Sequence, residues 1–293
     1  MAARTRLDAE LVRRGLARSR RHAGELIAAG RVSVDGAVVA KVSTQLEPDQ
    51  DLDIATDSGA APDYASRAGY KLAGALDALG AAGPGVHGRV CLDAGASTGG
   101  FTDVLLRRGA AHVFAVDVGH DQIVPTLRAD PRVTVREGVN VRHLAVGDLD
   151  PAADLVVGDL SFISLVLVLP ALLAVAAPRA DLLLLVKPQF EVGRELLGAG
   201  GVVHDPAQRG AAVLAVARVA RTLGLAVRAV LASSLPGANG NVEYFLWLDR
   251  VADLADLAAS ETDADSALVA LVETAVAEGP SEPTTGWTSG GQR

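Results

Sequence analysis

Between residues 90 and 248 short apolar runs recur, separated by segments that are helical or polar, and this alternation restricts the fold more than any other feature. The runs fall at 90–93, 113–116, 133–136, 155–158, 182–186, 227–231 and 244–248. Several are continuously apolar rather than alternating, as in strands covered on both faces. Helices are expected at 66–79, 100–108, 164–177 and 206–223. Strands alternating with helices predict a doubly wound α/β domain with a mostly parallel sheet. An apolar fraction of 49% over 293 residues supplies enough core for this domain and a smaller one.

The smaller domain is read ahead of it. Leu7, Leu11 and Val12 have helical spacing, ending near Gly15, and a second helix runs from an N-cap at Ser19 to a stop at Gly30, with Ala23, Leu26 and Ile27 inward. Val32-Ser33-Val34 and Ala37-Val38-Val39 flank Asp35-Gly36, a dipeptide that favours a tight hairpin. The expected organisation is a first domain over 1–55, a Pro/Gly-marked linker over 56–65, the α/β domain over 66–250 and an acidic, partly disordered tail over 251–293. One helix is expected in that tail, at 266–277.

Charge is distributed unevenly. The chain carries a net −8, yet residues 1–41 hold nine Lys/Arg against four Asp/Glu, and residues 251–293 hold one Arg against eight acids. A local basic patch therefore sits on an acidic protein, and the patch governs contact with a polyanion. The single cysteine, Cys91, excludes an internal disulfide and suits a reducing cytoplasm. No apolar run approaches the roughly 20 residues of a spanning helix, and arginine-studded Met1–Arg21 does not read as a secretory leader. The six scattered histidines have no ligand spacing, so no metal is expected.

Two groups of residues carry chemistry. In VCLDAGASTGGFTDVLL a strand ends at Asp93, a glycine-rich turn follows (Gly95, Ala96, Ser97, Thr98, Gly99, Gly100), and a helix opens with Phe101 in its first turn. Such a turn lets backbone approach a ligand at a helix N-terminus. Its glycine order is not G-x-G-x-x-G, which argues against a dinucleotide. The next strand ends in Asp117, where a carboxylate can accept both hydroxyls of a ribose. The second group is Lys71, Asp159, Lys187 and Glu243, each expected at the sheet's carboxyl edge, where ligands of open α/β sheets bind.

These motifs resemble known families. LDAELVRRGLARSRRHAGELIAAGRVSVDGAVVAK is similar to the S4 RNA-binding domain, a small α+β module; the resemblance implies phosphate contacts from Arg4, Arg6, Arg18, Arg20, Arg21, Arg31 and Lys41. The glycine turn resembles the S-adenosylmethionine site of Rossmann-like methyltransferases. That implies cofactor contacts from Asp93, Gly95, Ala96, Ser97, Thr98, Gly99, Gly100, Phe101, Asp117 and Asp159. Lysine, aspartate, lysine, glutamate in this order resembles the catalytic tetrad of FtsJ-like ribose 2′-O-methyltransferases. With an S4 domain in front, the chain is similar to the TlyA family, also labelled hemolysin A.

The resemblance implies S-adenosylmethionine as cofactor, cytidine 2′-hydroxyls of ribosomal RNA or ribosomal subunits as substrate, a cytoplasmic location and no stable membrane association. Departures from the family pattern are Ala68 in place of a glycine, the His120-Asp121-Gln122 turn, and Gly237-Ala238 ahead of Asn239. Lys187 can be a general base or a charged stabiliser. The competing readings are a non-catalytic RNA-binding assembly factor and a hemolysin-like membrane-active protein.

Overall fold

A computed structural model describes residues 5–17, 20–28, 30–47, 50–54, 64–250 and 261–279. They form two compact units, one holding residues 5–54 and the other the remainder.

In the smaller unit β1 (Thr5–Arg6) leads into α1 (Leu7–Arg13), α2 (Arg20–Ala28) follows, and β2 (Val32–Val34), β3 (Ala37–Val38) and β5 (Leu52–Ile54) form a small sheet in the order β3-β2-β5. Strand β4 (Gln45–Leu46) pairs with β1. Leu7, Leu11, Ala23, Leu26, Ile27 and Val32 fill the core, as their helical and strand spacings predict. The hairpin turns through Asp35 and Gly36, both at positive φ (51° and 81°). A two-residue loop matched to strand twist requires that conformation, which is why Asp-Gly stands there. Ser19 and the linker at 56–63 lie outside the described residues.

The larger unit is built on a seven-stranded sheet: β6 (Val90–Ala94), β7 (His112–Val116), β8 (Val133–Arg136), β9 (Ala153–Gly158), β10 (Ala176–Val186), β11 (Leu225–Ala232) and β12 (Tyr244–Arg250). The spatial order is β11-β12-β10-β9-β6-β7-β8, with β12 antiparallel to both of its neighbours. Helices α3 (Arg67–Leu79), α4 (Gly100–Arg107), α5 (Pro125–Arg128), α6 (Leu169–Val175), α7 (Pro188–Glu191) and α8 (Pro206–Thr222) connect or cover the strands. Two apolar clusters pack on the sheet, one around Leu182, Leu184 and Val213, the other around Leu72, Phe101 and Val104. The strand order reverses between β6 and β9, which opens a crevice at their carboxyl ends.

Two expectations need correction. The helix expected over 164–177 is a short 3₁₀ turn, Leu165–Leu167, followed by α6, and strand β10 begins at Ala176 instead of 182. Pro178, Arg179 and Asp181 read as a break ahead of the apolar run at 182–186, yet pairing of Ala176 with Ala153 draws the segment into the sheet. The tail helix, α9 (Glu261–Glu278), is longer than expected and is no appendage. Its Leu268, Val272 and Ala275 are buried in the core of the larger unit.

Candidate functional site

Sheet register aligns the site. β6 pairs with β7 up to Ala94–Val116 and with β9 up to Ala94–Gly158. The next residue on each strand is therefore Gly95, Asp117 or Asp159, a row across the carboxyl edge. The Asp159 N–H donates to Ala94 O (3.1 Å) and the Gly95 N–H to Val116 O (2.9 Å), fixing that row. β10 and β12 pair up to Val186–Tyr244, so Lys187 and Glu243 leave the same end of their ladder together.

Above this row lies a cleft with two adjoining lobes of about 260 Å³ and 460 Å³. Gly95, Ser97, Asp159 and Ser161 line both. The smaller lobe is completed by Ala96, Thr98, Phe101 and Lys187, the larger by Asp117, Gln122 and Asn140. Gly95 stands at φ +86°, and a Cβ there would lie 3.1 Å from the carbonyl oxygen of Asp159. Only glycine leaves this floor as bare backbone.

The remaining turn residues act around the cleft. Helix α4 starts on Gly99, which has no side chain to cap it. Asp93 supplies the missing acceptor from the strand, taking the Thr102 N–H at 2.8 Å and the Thr102 hydroxyl at 2.6 Å. Asp93 is wholly buried and lines neither lobe, so among the expected cofactor contacts it stands apart as a support beneath the turn. Its other oxygen has no partner among the described residues, and burial pushes its carboxyl up to about 7. Gly100 is likewise structural: it packs on α3, where a Cβ would lie 2.9 Å from the Gly69 nitrogen. That close approach draws the Lys71-bearing helix onto the turn.

Asp117 receives the Ser97 N–H (2.8 Å) on one oxygen and the Gly119 N–H (2.7 Å) on the other. A carboxylate offers about four acceptor positions, so it can still accept hydroxyls.

The four charged residues come together as two ion pairs. Lys187 Nζ stands 2.7 Å from Asp159 Oδ1 and donates to Ser161 Oγ at 2.7 Å. Lys71 Nζ donates to Glu243 Oε2 at 2.6 Å, across 172 residues of chain, and Gln189 donates to Glu243 Oε1 at 3.3 Å. Both lysines are 8% exposed and Glu243 2%, so each charge is held by its partner in place of water. Gly237 makes room for Glu243, since a Cβ at that position would overlap its carboxylate.

Three site residues escaped the sequence reading: Ser161, Gln189 and Phe162. Phe162 is 90% exposed at the rim of the larger lobe, with its ring 5.1 Å from that of Phe190. A phenylalanine three residues after Asp159, in a chain with 3% aromatics, was the available signal.

Some of the basic residues expected to contact phosphate, and two neighbouring arginines, are engaged within the smaller unit itself. Arg6 and Arg20 both bind Asp8 (3.0 and 2.8 Å), and Arg13 and Arg14 both bind Glu10. Lys41 is exposed. Arg21 lies within α2 and Arg31 just beyond it, while Arg4 and Arg18 are outside the described residues.

Sheet order, glycine floor and cleft define a Rossmann-like methyltransferase. The FtsJ-like methyltransferase family model matches residues 64–250 and the S4 domain model residues 5–52. A 16S/23S rRNA (cytidine-2′-O)-methyltransferase TlyA from Mycobacterium tuberculosis is 55% identical over 96% of this chain and all of its own length. Hemolysin A of Brachyspira hyodysenteriae is 34% identical over 82% of this chain and 97% of its own. A solved structure from Streptococcus thermophilus, also named a hemolysin, is 32% identical with a TM-score of 0.66, covering 95% of this chain and 98% of that one. The chain belongs to the TlyA family of FtsJ-like methyltransferases.

Proposed function

We propose that this protein transfers the methyl group of S-adenosylmethionine to a cytidine ribose 2′-hydroxyl in ribosomal RNA, in the cytoplasm. The observation that carries the reading is Lys187, whose amine is held between Asp159 and Ser161 in the lining of the smaller lobe. The cleft suits the cofactor: a bare-backbone floor at Gly95, a nucleoside-sized lobe edged by Asp117 and Asn140, and a second lobe reaching Lys187. S-adenosylmethionine supplies a methyl already activated on a sulfonium sulfur. The protein's own task is alignment and proton handling.

In this reading Asp117 and Gln122 orient the nucleoside end, and Phe101 and the 95–98 turn hold the amino-acid end. Lys187 Nζ donates to the ribose oxygen and stabilises negative charge on it. As the ribose oxygen takes the methyl carbon from sulfur its proton leaves to solvent, and Lys187, ion-paired with Asp159 at 2.7 Å, is held beside that oxygen. Glu243 fixes Lys71, which adds positive potential toward the RNA backbone. Phe162 and Phe190 offer a face on which the target base stacks. The S4 unit adds salt-sensitive grip on structured RNA.

The test is to incubate ribosomal RNA or subunits with the protein and methyl-labelled S-adenosylmethionine, and to map ribose methylation. Label on a cytidine 2′-oxygen is expected; label on a base, or none, rejects the reading. The hemolysin names motivate a second one, membrane lysis. No helix among the described residues is long and apolar enough to cross a membrane, and leakage from liposomes by the purified protein would favour lysis instead.

A further inference from the structure

Lys187, Phe190 and Glu191 are spaced i, i+3, i+4 through the single turn of α7, which places them on one face. Each meets the loop that follows β9. Lys187 binds Asp159 and Ser161, Phe190 meets Phe162, and Glu191 takes the Ser164 hydroxyl at 2.5 Å and the Leu165 N–H at 2.8 Å. Ser164 in turn caps the 3₁₀ turn behind it, accepting the Val166 N–H at 3.2 Å. Glu191 touches neither lobe of the cleft, and the chemistry above makes no use of it.

We infer that Glu191 is a positioning residue for methyl transfer: its carboxylate latches the 159–165 loop to α7. The latch fixes where Asp159 and Ser161 hold Lys187 and where Phe162 stands at the rim. This loop needs such a restraint. Phe162 sits at φ +64°, a conformation that a bulky side chain keeps only where its surroundings over-determine it. Ser161 and Phe162 are both exposed, so packing does little to hold them. Two donors converging on one half-buried carboxylate supply the restraint from behind, and that burial raises the carboxyl above its ordinary value.

The inference rests on Lys187 being the centre of the reaction, and its test reads the latch separately from the chemistry. Glu191→Ala is expected to lower kcat by about ten- to a hundredfold, as a displacement near 1 Å does. Its affinity for S-adenosylmethionine should fall by less than kcat does, because Asp159 and Ser161 are only two of the residues that line the cleft. Amide hydrogen exchange at Leu165 and Val166 should quicken in the same variant. Glu191→Gln should recover most of the rate, since its carbonyl can accept from Leu165 while its amide donates to the Ser164 hydroxyl. Ser164→Ala, which removes one of the two bonds, should fall between them. A Glu191→Ala protein with unchanged kcat overturns the inference. So does one that loses rate without faster exchange at Leu165, or one whose cofactor affinity collapses in parallel. Should Glu191→Ala not fold, unchanged kcat in both Ser164→Ala and Glu191→Gln, with unchanged Leu165 exchange in Ser164→Ala, is the overturning result. Failure of the Lys187 reading shows differently, as activity in Lys187→Ala with Leu165 still protected.

Discussion

The two units handle charge in opposite ways. In the smaller one, acids with little exposure are ringed by arginines that reach solvent: Asp8 is 8% exposed beside Arg6 at 44%, and Glu10 is 4% exposed beside Arg13 at 67%. The hydrogen bond from Arg6 holds the Asp8 carboxyl down at about 2, and that from Arg13 does the same for Glu10. In the larger unit both members of each site pair are withdrawn from water, and Asp93 pairs with no cation among the described residues, so burial pushes it up. In pairs of the first kind the solvent around the arginine screens the attraction and limits what each pair contributes. Buried pairs of the second kind cannot lose one partner without stranding the other, and so they fix geometry.

The largest test of this contrast is Lys187→Ala. It should lower turnover by about a thousandfold, in the range expected for a lost proton-handling group, and leave cofactor binding within about threefold. Methyl transfer and calorimetric titration measure the two quantities. Full activity would end the argument that the buried pairs carry the chemistry.

Next is the pH dependence of stability, where the units should diverge. Asp93 is raised in the folded state, so its favourable form is fully present below the unfolded value near 4 and is lost as pH rises through about 7. The larger unit should lose up to about 4 kcal/mol across that window, and Asp93→Asn should flatten the loss. Asp8 and Glu10 have the reverse sign: their contribution is present above about 4 and disappears as pH falls through about 2. Urea unfolding between pH 4 and 8 checks the first; acid unfolding followed by hydrogen exchange in residues 5–17 checks the second.

Gly237→Ala should reduce kcat by about tenfold at a stability cost of roughly 1–3 kcal/mol, because the added methyl displaces Glu243 from Lys71. Adding Glu243→Asp, one methylene shorter, should restore part of the rate; no recovery would mean that the glycine serves the loop and not the carboxylate. The smallest effects belong to the basic unit. Lys41→Ala should lower the slope of log affinity against log salt by roughly 0.7–0.9, and Arg20→Ala, already paired with Asp8, by less. Equal slopes for the two would show that the Asp8 pair opens on RNA.

Much of this was legible beforehand. The apolar runs located all seven strands of the large sheet, because a buried strand needs apolar residues on both faces whatever surrounds it. The glycine turn and the Asp-Gly hairpin were legible because positive φ restricts residue type locally. Asp159, Lys187 and Glu243 stood out as polar groups at the ends of apolar strands, and Lys71 through its motif on a helix. The start of β10 was hidden because Pro178, Arg179 and Asp181 interrupt its apolar run, and Glu191 was hidden because a lone glutamate carries no signal until its partners are known.

The sequence by itself determined where strands, turns and caps form and which residue types wait at the strand ends, since these follow from side-chain period and backbone sterics over a few residues. Only the tertiary structure decided that Lys71 meets Glu243, that Asp93 turns inward beneath the glycine turn while Asp117 faces the cleft, that α9 joins the core, and that Arg6 and Arg20 share one carboxylate. Those outcomes depend on strand order, register and helix approach, which join residues far apart in the chain, and no local pattern of side chains specifies them.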